Sequence, residues 1–325
     1  MLVKNLVPYE SIDGKFVVKF KKPVQKYAKG YSFQLRIGDS SGEVMLRYWG
    51  PDNKDEVEKL YNSIKSDSVV YVTGETTMYN GKIAININPP GGKLAVLEPH
   101  EYGQMDFIAE SEKDTKEMYS ELNEIAGSIQ NSHLKELVYS FIKDPAFSEK
   151  FIRHPAAMYR HHGWLGGLLE HTLNVVKICE FFKKIHPELD RDLMVTGAIL
   201  HDIGKIRELE VTTHIRTSTE GMLLGHLAIT YEEVSKKMEA LKTPEELKMK
   251  VKHLLLSHHG KIEHGSPKQP AIPEALAVYM ADDSDSKITE MLTYIKRAET
   301  EDDYIYMSNF GPVYIKKGEK SEESA

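Results

Sequence analysis

A single cysteine, Cys179, is all the thiol chemistry that the 325 residues contain. It excludes an internal disulfide. Its place among Val175, Val176, Ile178, Phe181 and Phe182 on a helical pattern makes it a buried thiol rather than a nucleophile. Also missing is any stretch approaching the roughly 20 apolar residues that cross a bilayer. The opening MLVKNLVPYE lacks a basic segment followed by a long apolar run. The expected setting is cytoplasmic, with no membrane partner. No internal repeat is present, and low complexity is confined to the tail KKGEKSEESA, so residues 313–325 are expected to be disordered. With 41% hydrophobic and 28% charged residues, what remains is a globular protein whose length suggests two domains.

The net charge of −7 would argue against a polyanionic partner if it were spread evenly, and it is not. Residues 1–100 carry 14 Lys+Arg against 11 Asp+Glu, whereas residues 101–325 carry 28 against 38. Residues 1–50 alone hold 9 basic and 4 acidic side chains, among them Lys15, Lys19, Lys21, Lys22, Lys26 and Lys29. Such a footprint suits a nucleic-acid backbone. It equally suits lysines that solvate strand faces and blunt a sheet edge.

The same hundred residues alternate in short runs. Lys15–Lys22, Tyr31–Ile37, Glu43–Trp49, Ser68–Gly74 and Lys82–Asn88 read as five strands separated by Gly, Asp, Asn and Ser turns. After the third, PDNKDEVEKLYNSI spaces Val57, Leu60, Tyr61 and Ile64 at helical intervals behind Pro51 and Asp52. Five strands with a helix after the third outline an OB-fold β-barrel, expected over residues 1–100. Such barrels hold single strands by stacking bases on aromatics in a basic groove. Tyr27, Tyr31, Phe33, Tyr48, Trp49 and Tyr79 are available, some of them necessarily core, and Arg36, Arg47 and Tyr48 are the nucleic-acid-binding candidates. Pro89-Pro90-Gly91-Gly92 ends the last strand, and residues 101–114 read as a linker.

From Thr115 the period becomes helical, through Leu122, Ile125, Ile129, Leu134, Leu137, Val138 and Phe141. The second domain, residues 115–312, is expected to be all-α. His161-His162 open HHGWLGGLLEHT, where Gly163, Gly166 and Gly167 permit close approach of chain segments and His171 enters a helix. DLMVTGAI is a further helix that delivers His201 and Asp202 ahead of Gly204 and Lys205. An imidazole beside a carboxylate, joined by a histidine from a neighbouring helix, makes an N/O site for a divalent metal. The completing carboxylate should come from EALAVYMADDSDSK, which offers Asp282, Asp283 and Asp285. His226 in EGMLLGH and His258-His259 in LLLSHHG lie between. Each alone is more often a hydrogen-bonded histidine than a ligand. Clustered on successive helices, they could hold a second ion, and two bridged ions suit phosphoryl chemistry.

The order His171, His201-Asp202, Asp282 resembles the H…HD…D signature of the HD superfamily of metal-dependent phosphohydrolases. HHGWLGGLLEHT, HDIGKIREL, EGMLLGH, LSHHGKIEHGSPKQP and EALAVYMADDSDSK together resemble one branch more closely, the YhaM-type 3′-to-5′ exoribonucleases, in which an OB-fold domain precedes an HD domain. The resemblance covers residues 150–290; over the first hundred it is one of architecture. It implies that His171, His201, Asp202 and Asp282 bind a divalent metal, manganese foremost, and that His226, His258 and His259 extend the site to a second ion. Helical phase leaves Asp283 open as the alternative to Asp282, with Asp285 behind the ligands. Lys205 would neutralise the scissile phosphate and its transition state. His161 and His162 would contact the terminal nucleotide, act in proton transfer or simply pack. His162 therefore joins Asp202 and Lys205 as a catalytic candidate, and His161 joins the nucleic-acid-binding ones.

The expected reaction is hydrolysis of the last phosphodiester of single-stranded RNA by an ion-activated water, releasing 5′-mononucleotides while the barrel holds upstream nucleotides. Single-stranded DNA is a further expected substrate, because nothing announces a reader of the 2′-OH. A homo-oligomer is also expected. Two other readings stand beside this one: a phosphohydrolase of small or cyclic nucleotides, and a non-catalytic nucleic-acid-binding protein whose binding ignores metal.

Overall fold

The computed structural model describes residues 2–158, 161–298, 300 and 302–315. Its first third is a closed sheet. Strands β1 (Ser11–Tyr27), β2 (Gly30–Asp39) and β3 (Gly42–Trp49) form an antiparallel meander. Helix α1 (Lys54–Ser63) starts where the Asn53 side chain accepts the Glu56 N–H. It leads into β4 (Val69–Tyr79) and β5 (Lys82–Ile87). β4 pairs with β5 and with β1, and β5 runs parallel to β3, so the ring β1-β2-β3-β5-β4 closes on itself. Alternate residues fill it, Phe16 and Val18, Phe33, Leu35 and Ile37, Val70 and Val72, Ile85 and Ile87.

The barrel carries one strand more than the five expected. After the glycines, β6 (Lys93–Val96) pairs with β4, too short to register as an alternating run. Residues 101–114 are not a free linker, since Phe107 and Ile108 are buried and Glu110 bridges to Leu165. Phe107 packs on Val17 and Val69 at the foot of the barrel. Two of the lysines are structural: Lys21 donates to the Tyr61 and Ile64 carbonyls at the end of α1, and Lys15 to the Glu101 carbonyl.

The remainder packs around one helical core. Helices α2 (Thr115–Gly127), α3 (Ser132–Ile142) and α4 (Pro145–Arg153) are each N-capped by an Asp or Asn side chain. They surround α5 (Gly167–Ile185) and α6 (Arg191–Leu200), followed by the single turn α7 (Lys205–Glu208). The expectation of an all-α second domain needs amendment. A small hairpin of β7 (Leu209–Val211) and β8 (Ile215–Thr217) interrupts the helices, and its loop meets the barrel, where Thr213 Oγ1 donates to the Asp67 carbonyl and His214 pairs with the Asp67 carboxylate. Then come α8 (Thr219–Ala240), broken at Gly225 (φ 71°), α9 (Glu245–Ser257) and α10 (Pro273–Arg297). Strands β9 (Tyr304–Met307) and β10 (Gly311–Tyr314) form a last hairpin with Met307 and Val313 buried beneath it. The tail expected from 313 thus begins with paired residues, and residues 316–325 lie outside those described. No helix among the described residues is long and apolar enough to cross a membrane.

Candidate active site

Four helices converge on Asp202, which follows His201 at the end of α6 and is buried. Its Oδ2 lies 3.3 Å from His201 Nε2 and 3.5 Å from Nε2 of His171 on α5. Asp282 on α10 closes this side, its Oδ1 3.2 Å from His171 Nε2. Asp283 turns away and pairs with Lys287, so the helical phase left open in the sequence selects Asp282. The other oxygen, Asp202 Oδ1, faces His226 Nε2 at 3.5 Å and His258 Nε2 at 3.7 Å. His259 Nε2 stands 3.2 Å from His226 Nε2. One carboxylate therefore joins two nitrogen-rich clusters, and the sequence candidates for both ions meet in one place.

What lies behind each ring fixes which nitrogen faces inward. His201 Nδ1 donates to the Ala198 carbonyl at 2.8 Å and His258 Nδ1 to the Leu255 carbonyl at 2.9 Å. His171 Nδ1 donates to Asp285 at 2.7 Å, and Asn174 holds the far oxygen of that carboxylate. His226 Nδ1 donates to Glu208 at 3.0 Å. With Nδ1–H committed, Nε2 is left as the lone pair, the arrangement of metal-ligating histidines held by an outer carboxylate or carbonyl. His171 Nε2 and His201 Nε2 face each other at 3.1 Å; although burial opposes it, contact with Asp282 and Asp285 raises His171 to about 9, so this ring also holds a proton on Nε2, at the place that a metal ion would take. Asp202 Oδ1 and His258 Nε2 are buried with no hydrogen-bond partner. These orphaned atoms and this donor set fit a pair of divalent ions.

The charges agree. Burial opposes the charge on Asp202, but Lys205 and His201 beside it hold the carboxyl well below its usual range. Burial likewise opposes the charge on Asp282, which contact with His171 keeps ionised. His259, pushed down to about 3 by burial, and His258, lowered by burial, stay neutral and able to ligate. Lys205 Nζ lies 2.6 Å from Asp202 Oδ2, and despite burial Asp202 raises its pKa, so it is a fixed cation at the cluster. Glu208 was not a candidate from sequence, yet its spacing of three after Lys205 puts both on one turn. Cys179 is remote in function, its thiol pushed up to about 12 by burial.

His161 and His162 come to the same centre on a loop that Glu170 pins through Ser111, Trp164 and Lys113. His162 sits at φ 52°, fully buried, with neither ring nitrogen bonded and Nε2 3.7 Å from Asp285. Its carbonyl presses on Gly167, where an added Cβ would come within 2.1 Å of it. Burial pushes His161 down to about 2 and His162 to about 4, so both rings are uncharged.

On the barrel the candidates separate. Tyr48 points inward and stacks on Phe33 at 4.9 Å, so it offers no surface for a base; alternation along β3 sends it to the core side. Arg47 and Trp49 take the outer side. The Arg47 guanidinium lies 3.5 Å from the centre of the Tyr79 ring, and Trp49 Nε1 donates to Asn86, which donates on to Thr77. Arg36 projects from the next strand and is loosely paired with Glu43. Trp49, Tyr79 and Asn86 thus join Arg47 on one outer face, a grouping that only cross-strand register reveals.

The HD domain family model matches residues 168–287, the span that contains His171, His201, Asp202, His226, His258, His259 and Asp282. The curated 3′-5′ exoribonuclease YhaM of Shouchella clausii is 30% identical over 291 residues, 89% of this chain and 88% of the relative. That of Oceanobacillus iheyensis is 32% identical over 255 residues, 78% and 77% of the two chains. That of Bacillus subtilis strain 168 is 31% identical over 268 residues, 82% and 81%. Similarity of this length takes in the barrel as well as the histidine cluster, and the chain belongs to the YhaM 3′-5′ exoribonuclease family.

Proposed function

We propose that this protein is a metal-dependent 3′-to-5′ exoribonuclease that shortens single-stranded RNA from its end and releases 5′-mononucleotides. The observation that carries the reading is Asp202, whose two oxygens face two separate histidine clusters. His171, His201, Asp202 and Asp282 would hold one ion, and His226, His258 and His259 with Asp202 a second, manganese being suited to such imidazole and carboxylate donors. Divalent metal there supplies a Lewis acid and a water of lowered pKa. Lys205, held as a cation, offsets the charge that gathers on phosphorus in the transition state. Neutral His161, partly exposed beside the cluster, would receive the terminal nucleotide, while the fully buried His162 packs behind it against Asp285. Arg47, with Trp49 and Tyr79, gives the upstream bases a stacking surface, and Arg36 a phosphate contact. None of these contacts requires a 2′-OH, so single-stranded DNA is an accepted substrate in this reading. The cytoplasm is the expected place of action, and a second copy of the chain the expected protein partner.

The test is a time course on 5′-labelled single-stranded RNA with Mn²⁺, beside a chelator control and Asp202→Ala. A ladder shortening from the 3′ end, absent in both controls, supports the assignment. RNA that stays intact while mononucleotides or cyclic nucleotides are hydrolysed would overturn it.

A further inference from the structure

The start of α8 turns its apolar residues outward. Met222, Leu223 and Leu224 stand 76%, 77% and 55% exposed. Gly221 before them is buried against Glu208, where an added Cβ would come within 2.3 Å of the backbone carbonyl oxygen. At about 100° per residue the three side chains sweep every side of the helix except the one that Gly221 rests on Glu208. A run of three exposed apolar residues works against solubility, so a fold keeps one only for a use.

Glu208 also fixes where this turn stands. The helix breaks at Gly225 (φ 71°), and the next residue is His226, whose backbone N–H and Nδ1–H both donate to the Glu208 carboxylate. One residue thus supports the apolar turn with its backbone and the histidine with its side chain. His226 and Asp282 are where the cluster meets solvent, their side chains 15% and 14% exposed against 0–3% for His171, His201, Asp202 and His258. Leu224 is two residues from His226, so their Cα atoms are at most about 7 Å apart. Just ahead of α8, Thr217 Oγ1 donates to Met158 Sδ at 3.4 Å, which brings the segment leading to His161 up to the base of the turn.

A second copy of the chain is a poor occupant, since three residues on a projecting turn fall far short of the roughly 20–30 that each partner brings to a stable interface. A nucleotide suits it better. With its phosphate at Lys205 and the ions, its base reaches past His226 to the rim, and every base has an apolar face to lay there. We propose that Met222, Leu223 and Leu224 are the seat for the base of the 3′-terminal nucleotide. This rests on the exoribonuclease reading and names the part of the substrate that the turn takes. Apolar side chains read no base edge, so the end is gripped whatever its sequence.

The test uses the full chain with Mn²⁺ and two 5′-labelled RNAs, identical except that the 3′-terminal nucleotide of one lacks its base. Wild type should make the first cut on the complete end with a kcat/KM about five- to a hundredfold higher, the range of one base contact. Leu223→Ser/Leu224→Ser should lose that advantage and cut both ends alike, with melting temperature and metal content unchanged. Wild type that cuts both ends equally overturns the proposal without recourse to any variant. So does a serine variant that keeps the wild-type preference, or one whose loss comes with a change in sedimenting mass. If wild type trims neither RNA, the exoribonuclease reading itself falls, and this inference with it.

Discussion

The carboxylate of Asp285 lies 2.7 Å from His171 Nδ1, while Asp282, one turn earlier on the same helix, lies 3.2 Å from Nε2 of that ring. A single helix therefore both offers a carboxylate to the cluster and orients its histidine. Asp285→Asn keeps the shape but weakens the hold on the tautomer. It is expected to lower Mn²⁺ affinity about ten- to hundredfold with little change in melting temperature. Calorimetric titration decides, and an unchanged affinity would remove Asp285 from the machinery.

Glu208 touches only one of the two clusters, accepting both the backbone N–H and Nδ1–H of His226. Asp202 touches both. Glu208→Gln should therefore bind one ion nearly normally and the second weakly, whereas Asp202→Ala should lose both and all activity. Metal content measured by atomic emission after gel filtration separates the two patterns. Equal losses in both variants would mean that the clusters do not load independently.

His154 gives a pH dependence whose sign can be worked out. Its Nε2 donates to the Lys205 carbonyl, and burial pushes its pKa down to about 4 from an ordinary 6.5. Above pH 6.5 it is neutral both folded and unfolded and contributes no slope. Between 6.5 and 4 the unfolded chain takes up a proton that the fold refuses, so stability falls as pH falls. The loss is about 1.4 kcal/mol per pH unit, about 3 kcal/mol across the window. In His154→Gln, which can keep the bond to Lys205, urea unfolding of the metal-free protein on either side of the window should show a shallower decline. A slope identical to wild type would contradict this.

Arg47 and Trp49 test the barrel face apart from the chemistry. Trp49→Ala should raise KM for long RNA by about five- to a hundredfold, the range of one lost base stack of ~1–3 kcal/mol. Its turnover of a dinucleotide should be unchanged. Arg47→Ala should weaken long-RNA binding and flatten its salt dependence. Loss of dinucleotide turnover in either variant would point to a folding defect or to a different role.

The residues of the histidine and aspartate cluster were legible because each chemical type stands in an unusual local setting, His201-Asp202 ahead of a glycine being the plainest. The residues behind them were not. Glu208 looks like any helical glutamate until the kink at Gly225 (φ 71°) turns His226 onto it. Asp282 and Asp283 could be separated only by the rotation of α10, which its packing against α5 sets. On the barrel, alternation named the strands but not which side was inward, hence Tyr48 among the surface candidates. β6, β7 and β8 are three or four residues long, too short for any period to declare itself.

The β7–β8 hairpin leaves the chain at Glu208 and returns it at Ser218, and between those points its loop grips Asp67 of the barrel. The barrel is thereby held at a set distance from the cluster, and in the proposed reading that distance would act as a ruler. An RNA too short to reach both should be released, leaving an end product of uniform length. Breaking the grip with Thr213→Ala and His214→Ala is expected to scatter that length on a sequencing gel while the rate on long RNA stays nearly the same.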